Sequence, residues 1–226
     1  MINEQILERK GGKIVSLLWV EWTAFFILIP FVLRVWWKPS LMFLVLLVST
    51  ISVFVWLMYR HKFDYRQLWC GSVRGEWEQL KRILLRFAIC GSMITALVLF
   101  VFPHNFLDLP LEKPRLWSTI MILYPVLSVY PQELIYRAFF FERYSRLFPN
   151  QIWLVITNAL VFGLIHIIFQ NPWAVLLTVI GGFFFAETYA RTSSLRLVWL
   201  EHALYGCLIF TIGLGSFFYH ARVPTS

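Results

Sequence analysis

The chain has 226 residues, of which 59% are hydrophobic and only 14% are charged, and its mean hydropathy is +0.70. Soluble domains average about 45–50% apolar and about 25% charged residues, so this composition excludes an ordinary soluble domain and predicts an integral membrane protein. The net charge of +8 is not gathered into a basic face with base-stacking aromatics. It therefore argues against a nucleic-acid partner and favours contact with the anionic lipids of a bilayer.

Seven apolar stretches follow one another along the chain. A helix crosses the hydrocarbon core of a bilayer, about 30 Å thick, with roughly 17–25 residues. The predicted spans are residues 14–33, 41–58, 83–102, 116–142, 151–169, 173–190 and 195–217. The sequence therefore predicts an all-α, polytopic transmembrane helix bundle with about seven spans, organised as one integral membrane domain over residues 1–226.

The basic residues orient the predicted bundle. With the N-terminus in the cytoplasm, fourteen of the 20 Lys and Arg residues fall in cytoplasmic segments and five fall outside, as the positive-inside rule requires. The first apolar stretch is followed by Arg34 and Trp36 rather than by a small-residue cleavage site, which favours a retained span over a signal peptide. Residues 59–86 are rich in Arg, Lys and Trp with helical apolar spacing, which predicts an interfacial amphipathic helix before the third span.

The later apolar stretches carry ionisable residues in their interiors, and the candidates for a site are Glu133, Arg137, His166 and His202. A charge deep in a membrane helix costs about 2.5–3.5 kcal/mol on insertion scales, so such residues usually face a polar interior and function there. Glu133 and Arg137 are one helical turn apart and can pair. Arginine favours the ionised carboxylate, which a general base requires.

The two histidines are on separate predicted helices. Gly163 precedes His166 and permits close helix approach. Glu201 and His202 point about 100° apart on a helix of 3.6 residues per turn, so only one of them faces the bundle centre squarely. We expect that one to be His202, with Glu201 near the cytoplasmic interface or paired with a basic residue.

Two reaction classes remain open on these residues alone. A carboxylate with two histidines can activate water for peptide hydrolysis, with the imidazoles stabilising the oxyanion. The same three side chains can also hold a metal ion. No H-E-x-x-H motif is present, and Cys70, Cys90 and Cys207 are scattered, so we expect no bound metal, no other cofactor and no disulfide.

The order Gln132-Glu133-x-x-x-Arg137, Phe162-x-x-x-His166 and then His202 resembles three motifs of a known family. These are the E-E-x-x-x-R, F-x-x-x-H and H-x-x-x-N/D motifs of the CAAX-protease and bacteriocin-processing (CPBP, formerly Abi) intramembrane glutamic endopeptidases. The resemblance covers residues 117–217, about half of the chain.

The resemblance implies a role for each matching residue. Glu133 would activate water with His166 as its partner, Arg137 would orient Glu133, and His202 would stabilise the oxyanion. Two positions depart from the family pattern, because Gln132 replaces the first glutamate and Gly206 replaces the Asn or Asp. Tyr205 or a backbone N–H would then supply the missing oxyanion donor, and Gln132 would at most orient water or substrate.

The predicted function is an intramembrane endopeptidase that cleaves a membrane-associated protein or peptide precursor, in a bacterial inner membrane. Gln132 and Gly206 favour an alternative, a catalytically silent relative that binds a membrane protein as an immunity protein or scaffold does. A third hypothesis, a proton-relaying transporter, is disfavoured because the chain shows neither inverted repeats nor interrupted helices. The catalytic hypothesis predicts that Glu133, His166 and His202 converge on one polar cavity.

Overall fold

A computed structural model describes residues 2–36, 39–59 and 75–218, and this part of the chain is helical, without a β-strand. The α-helices are α1 Ile2–Thr23, α2 Ile29–Val35, α3 Pro39–Met58, α4 Glu76–Val101, α5 Asp108–Glu112, α6 Pro114–Tyr124, α7 Tyr130–Glu133, α8 Phe140–Tyr144, α9 Gln151–Ile165, α10 Pro172–Thr192 and α11 Leu195–Thr211. Wider π-helical turns are Ala24–Leu28, Pro125–Val129 and Leu134–Phe139. Tighter 3₁₀ turns are Pro103–Asn105, Ser145–Leu147, His166–Phe169 and Gly215–Phe218.

The predicted all-α class is confirmed, but the count of seven spans is not. Within the described residues, four helices are long and apolar enough to cross a membrane: Gly12–Val35, Glu76–Val101, Gln151–Phe169 and Pro172–Thr192. Phe43–Met58 is a shorter apolar helix. Predicted span 116–142 coincides with residues 114–144, a run of short α-helices and π-turns that contains several charged residues. Predicted span 195–217 coincides with α11, which has only 17 residues.

The predicted interfacial helix is covered only in part. Its residues 60–74, including Cys70, lie outside the described residues. From Glu76 onward the chain is already the first turns of α4, which continues without a break to Val101. The amphipathic spacing of Trp77 and Ile83 thus belongs to the start of the third long helix.

Asn and Ser side chains fix the starts of the last three helices. The Asn150 side chain accepts hydrogen bonds from the backbone N–H groups of Ile152 and Trp153, and Asn171 and Ser194 cap α10 and α11 in the same way. These residues favour such positions because their short side chains satisfy N–H groups that have no partner within the helix. The caps leave short turns, so α9, α10 and α11 pack as successive neighbours.

The π-helical turns expose backbone carbonyls that side chains from other helices satisfy. The Trp199 indole N–H donates to the carbonyl of Pro125 at 2.6 Å, and the buried Asn158 amide donates to the carbonyl of Tyr136 at 2.6 Å. A π-turn breaks the regular i→i−4 ladder and is common at functional sites. These contacts attach the irregular path 114–144 to α9 and α11.

Arg86 of α4 ties three helices together around the buried carboxylate of Glu201. Arg86 Nη2 lies 2.5 Å from Glu201 Oε1, and Arg86 Nη1 lies 2.9 Å from Glu187 Oε2. The Thr188 hydroxyl donates to the other Glu201 oxygen at 2.6 Å. Glu201 is fully buried, and its predicted pairing with a basic residue is confirmed.

A second polar cluster attaches α1 to α8. Arg143 donates to both carboxylate oxygens of Glu21, at 3.0 and 2.6 Å, and the Tyr144 hydroxyl donates to Glu21 at 2.8 Å. This bidentate contact holds α1 and α8 together, because the planar guanidinium matches the geometry of the carboxylate.

Candidate active site

A buried ion pair lies next to the candidate site. Arg137 Nε is 3.2 Å from Glu133 Oε2, and neither residue has any exposed surface. The guanidinium carbon lies 4.8 Å from the centre of the Phe162 ring and 5.8 Å from that of Phe185, where the aromatic faces stabilise the cation. The pairing of Glu133 with Arg137 that the four-residue spacing predicted is confirmed.

His202 is bonded directly to this carboxylate. Its Nδ1 lies 2.7 Å from Glu133 Oε1, across 69 residues of sequence. With the carboxylate oxygen as acceptor, Nδ1 donates the hydrogen bond, and the neutral form of the ring then has its lone pair on Nε2. The imidazole stacks on the Phe185 ring, with centroids 4.6 Å apart and planes inclined by 19°. Glu133 and Phe185 thus fix both the tautomer and the orientation of His202.

His166 occupies the end of α9, where the helix tightens into the 3₁₀ turn His166–Phe169. Its Nδ1 lies 2.7 Å from the backbone carbonyl of Phe162. A carbonyl only accepts, so Nδ1 donates and the neutral ring keeps its lone pair on Nε2. His166 therefore has the same proton arrangement as His202.

The Phe162 ring separates and positions these groups. Its centroid is 5.1 Å from the imidazole of His166 and 5.5 Å from that of His202. The same ring contacts the guanidinium of Arg137. The aromatic residue of the second motif is thus a common wall for the ion pair and both histidines.

His166 and His202 line a cavity of about 500 Å³ between α4, α6, α9, α10 and α11. Most of its wall is apolar, and the polar side chains include Gln132, Ser128 and Tyr124. Met93 and Leu127 line the cavity and are more than half exposed. The cavity is therefore open at these residues rather than enclosed.

Of the two polar residues that begin the first motif, Gln132 lines this cavity and Glu133 does not. Gln132 lines the cavity, and its Nε2 donates to the Ser128 hydroxyl at 2.8 Å. Glu133 has no exposed surface and does not belong to the cavity wall. The two histidines line this mostly apolar cavity and Glu133 does not, because the adjacent residues of a helix point about 100° apart, so the expected polar cavity shared by all three is not found.

The space beside Gly206 is filled by a tyrosine that the sequence did not single out. A methyl group added at Gly206 would overlap the ring and hydroxyl of Tyr124. The Tyr124 hydroxyl lies 3.3 Å from His202 Nε2. Tyr205, the predicted substitute donor, also lines the cavity; its ring packs against Phe87 with a centroid separation of 5.2 Å, and its hydroxyl is buried.

The described part of the chain contains no cluster of side chains that would support the alternative of a metal site. No three His, Cys, Asp or Glu side chains come together there as metal ligands do. Glu133 instead uses one carboxylate oxygen for His202 and faces Arg137 with the other. Cys90 and Cys207 are free thiols, and Cys70 is outside the described residues.

Residues 114–208 match the family described as type II CAAX prenyl endopeptidase Rce1-like. This part of the chain is similar to that family. The matched segment begins at α6 and ends within α11, so it contains every residue of the Glu133–His202 arrangement. The family recognised from the three motifs is confirmed, and it is a family of membrane proteases.

One curated relative is an uncharacterized protein of Mycoplasma capricolum subsp. capricolum. It is 27% identical over 103 residues, which are 43% of this chain and 30% of that protein. The match thus spans less than a third of the relative. No solved structure matches the chain.

Proposed function

We propose that this Rce1-like protein is an intramembrane endopeptidase in which His202, held by Glu133, activates water to cleave a peptide bond of a membrane-associated protein or peptide. The observation that carries this proposal is the 2.7 Å bond between His202 Nδ1 and Glu133 Oε1, with His202 lining the cavity. A carboxylate behind an imidazole fixes the tautomer with a basic Nε2 and stabilises the imidazolium that forms.

The reaction is an addition followed by an elimination. His202 Nε2 takes a proton from water while the water oxygen bonds to the scissile carbonyl carbon, and the carbonyl π electrons move to its oxygen. The C–N bond then breaks as the carbonyl re-forms, and His202 Nε2–H gives its proton to the leaving nitrogen. Glu133 keeps its hydrogen bond to His202 Nδ1 and takes up no proton in either step.

His166 and Gln132 are proposed to position the reactants. In its neutral form His166 offers an acceptor at Nε2, which suits a second hydrogen bond to the attacking water. The Gln132 amide cannot take a proton from water, but it can orient water or the substrate backbone from the cavity wall. The Glu133 role deduced from the family motif thereby changes from direct base to partner of the base.

A second candidate function is favoured by Gln132. The residue of the first motif that faces the cavity is neutral, as expected if the cavity binds a membrane peptide without cutting it. Such a protein would act as a scaffold or immunity protein, and its buried Glu133–Arg137 pair would only stabilise the bundle.

We further propose a cell-membrane location in a bacterium with the N-terminus in the cytoplasm. The distribution of Lys and Arg supports this orientation. The substrate would then be reached from within the bilayer, since the exposed residues of the cavity wall, Met93 and Leu127, are apolar.

The test is proteolysis by the purified protein in liposomes. The substrates are farnesylated C-terminal peptides, suggested by the family description, and unmodified membrane-spanning peptides, with products identified by mass spectrometry. We expect cleavage by the wild type, loss in His202→Ala and His166→Ala, and no change in His104→Ala, a matched variant because His104 is exposed and away from the cavity. Saturable peptide binding without cleavage would instead establish the second candidate.

A further inference from the structure

The site as described lacks an obvious donor for the oxyanion. His202 donates through Nδ1 to Glu133, and His166 donates through Nδ1 to the Phe162 carbonyl. Each neutral imidazole thus offers only an acceptor at Nε2. The tetrahedral intermediate of peptide hydrolysis carries a negative oxygen that hydrogen-bond donors must stabilise, so another group has to supply the N–H or O–H.

Tyr124 places a hydroxyl at this point. It lines the cavity, its Oη lies 3.3 Å from His202 Nε2, and the two rings meet edge to face with centroids 6.3 Å apart. A tyrosine hydroxyl can rotate from the imidazole to a new acceptor while its ring stays in place. Phe210 packs against the same ring, with centroids 5.2 Å apart, and restrains it.

Gly206 is what makes room for this tyrosine. It lies one helical turn after His202 on α11, and a Cβ there would overlap both the ring and the hydroxyl of Tyr124. Any other residue at this position would displace the phenol from His202. The glycine and the tyrosine therefore form one complementary unit built from α11 and α6.

The other candidate donors are less well placed. Tyr205 also lines the cavity, but its hydroxyl is buried and its ring packs against Phe87, whereas the Tyr124 hydroxyl lies 3.3 Å from His202 Nε2. The Gln132 amide gives one of its two N–H groups to Ser128. Tyr124 is in contact with the nitrogen that is proposed to activate water, so its hydroxyl lies beside the reacting atoms.

We propose that the Tyr124 hydroxyl donates a hydrogen bond to the carbonyl oxygen as that oxygen gains its negative charge, and that Gly206 is required for this placement. Tyr124 keeps its proton throughout and forms no covalent bond. The inference rests on the proposed function, because it assigns the oxyanion donor of the same reaction.

The test compares Tyr124→Phe with the wild type in the liposome assay, using the membrane peptide that the wild type cleaves. Removal of one oxyanion donor lowers kcat by about 100–1000-fold in a well-studied protease, so we expect a fall in kcat on the order of 100-fold with KM little changed. Tyr59→Phe is the matched control, since Tyr59 is exposed and does not line the cavity.

A pair of variants tests the complementarity with Gly206. Tyr124→Ala removes both ring and donor, and Asn introduced at position 206 would project into the vacated space. We expect Tyr124→Ala/Gly206→Asn to recover part of the activity that Tyr124→Ala loses, whereas Gly206→Asn alone should be as impaired as Tyr124→Phe. Thermal denaturation of each variant identifies any loss caused by misfolding.

The outcomes separate this inference from the function on which it rests. A wild-type kcat in Tyr124→Phe, together with loss of cleavage in His202→Ala, would overturn the role of Tyr124 and leave the endopeptidase assignment in place. Absence of cleavage by the wild type on all peptides would overturn both. A selective fall in kcat with recovery in the double variant would support both.

Discussion

The buried pair of Glu133 and Arg137 makes a quantitative prediction about stability. Replacing Arg137 by Leu leaves the carboxylate of Glu133 without its cation in an apolar environment, and Glu133→Leu does the converse. At 3.2 Å and an effective dielectric constant of 20, the Coulomb attraction is about 5 kcal/mol. Breaking a buried pair from one side costs about 3–5 kcal/mol, whereas replacing both partners by apolar residues is often close to neutral.

The assay is a double-mutant cycle on the free energy of unfolding, measured by denaturant titration in detergent micelles. We expect Arg137→Leu to destabilise by about 3–5 kcal/mol, and the double variant to recover at least about 2 kcal/mol of that loss. Lys81 and Glu78 provide the control, because they form an exposed pair 3.0 Å apart whose coupling should be below about 1 kcal/mol. Additive effects at positions 133 and 137 would refute the buried pairing.

Three further changes test the remaining parts of the structure. Arg86→Met should destabilise the protein by about 3 kcal/mol or more, because it leaves the buried carboxylate of Glu201 unpaired; a cost below about 1 kcal/mol would show that Glu201 has another partner. Gly163→Ala should lower the melting temperature, because the added methyl group overlaps the side chain of Val179 on α10. An unchanged melting temperature would mean that α9 and α10 can move apart at no cost in stability. Gln132→Glu should raise the rate of cleavage severalfold, since it places a carboxylate in the cavity wall, and a rate equal to wild type would show that this position does not reach the attacking water.

The sequence predicts the components of the site better than their contacts. Local spacing was enough for the Glu133–Arg137 pair, because residues four apart share a helix face. The bond from Glu133 to His202 spans 69 residues and leaves no trace in local spacing. Which of two adjacent residues, Gln132 or Glu133, faces the cavity depends on helix rotation, which is set by the π-turns on either side.

Tyr124 escaped prediction for a related reason. A tyrosine in an apolar helix is normally a packing or interfacial residue, and its importance comes from the space left by Gly206 on another helix. The one signal in the sequence was the glycine itself, at the position where the family motif has a larger polar residue. The predicted count of seven spans is not confirmed for a different reason, since the other apolar stretches form helices that are shorter or that carry charged residues.

Single-turnover cleavage by Glu133→Gln, His202→Ala and the double variant tests the central claim most directly. If Glu133 acts only through His202, each single variant should lose on the order of 1000-fold in rate, and the double variant should be no worse than the poorer single variant, since residues that act as a unit are not additive. Multiplication of the two losses, or a wild-type rate in either single variant, would contradict the account.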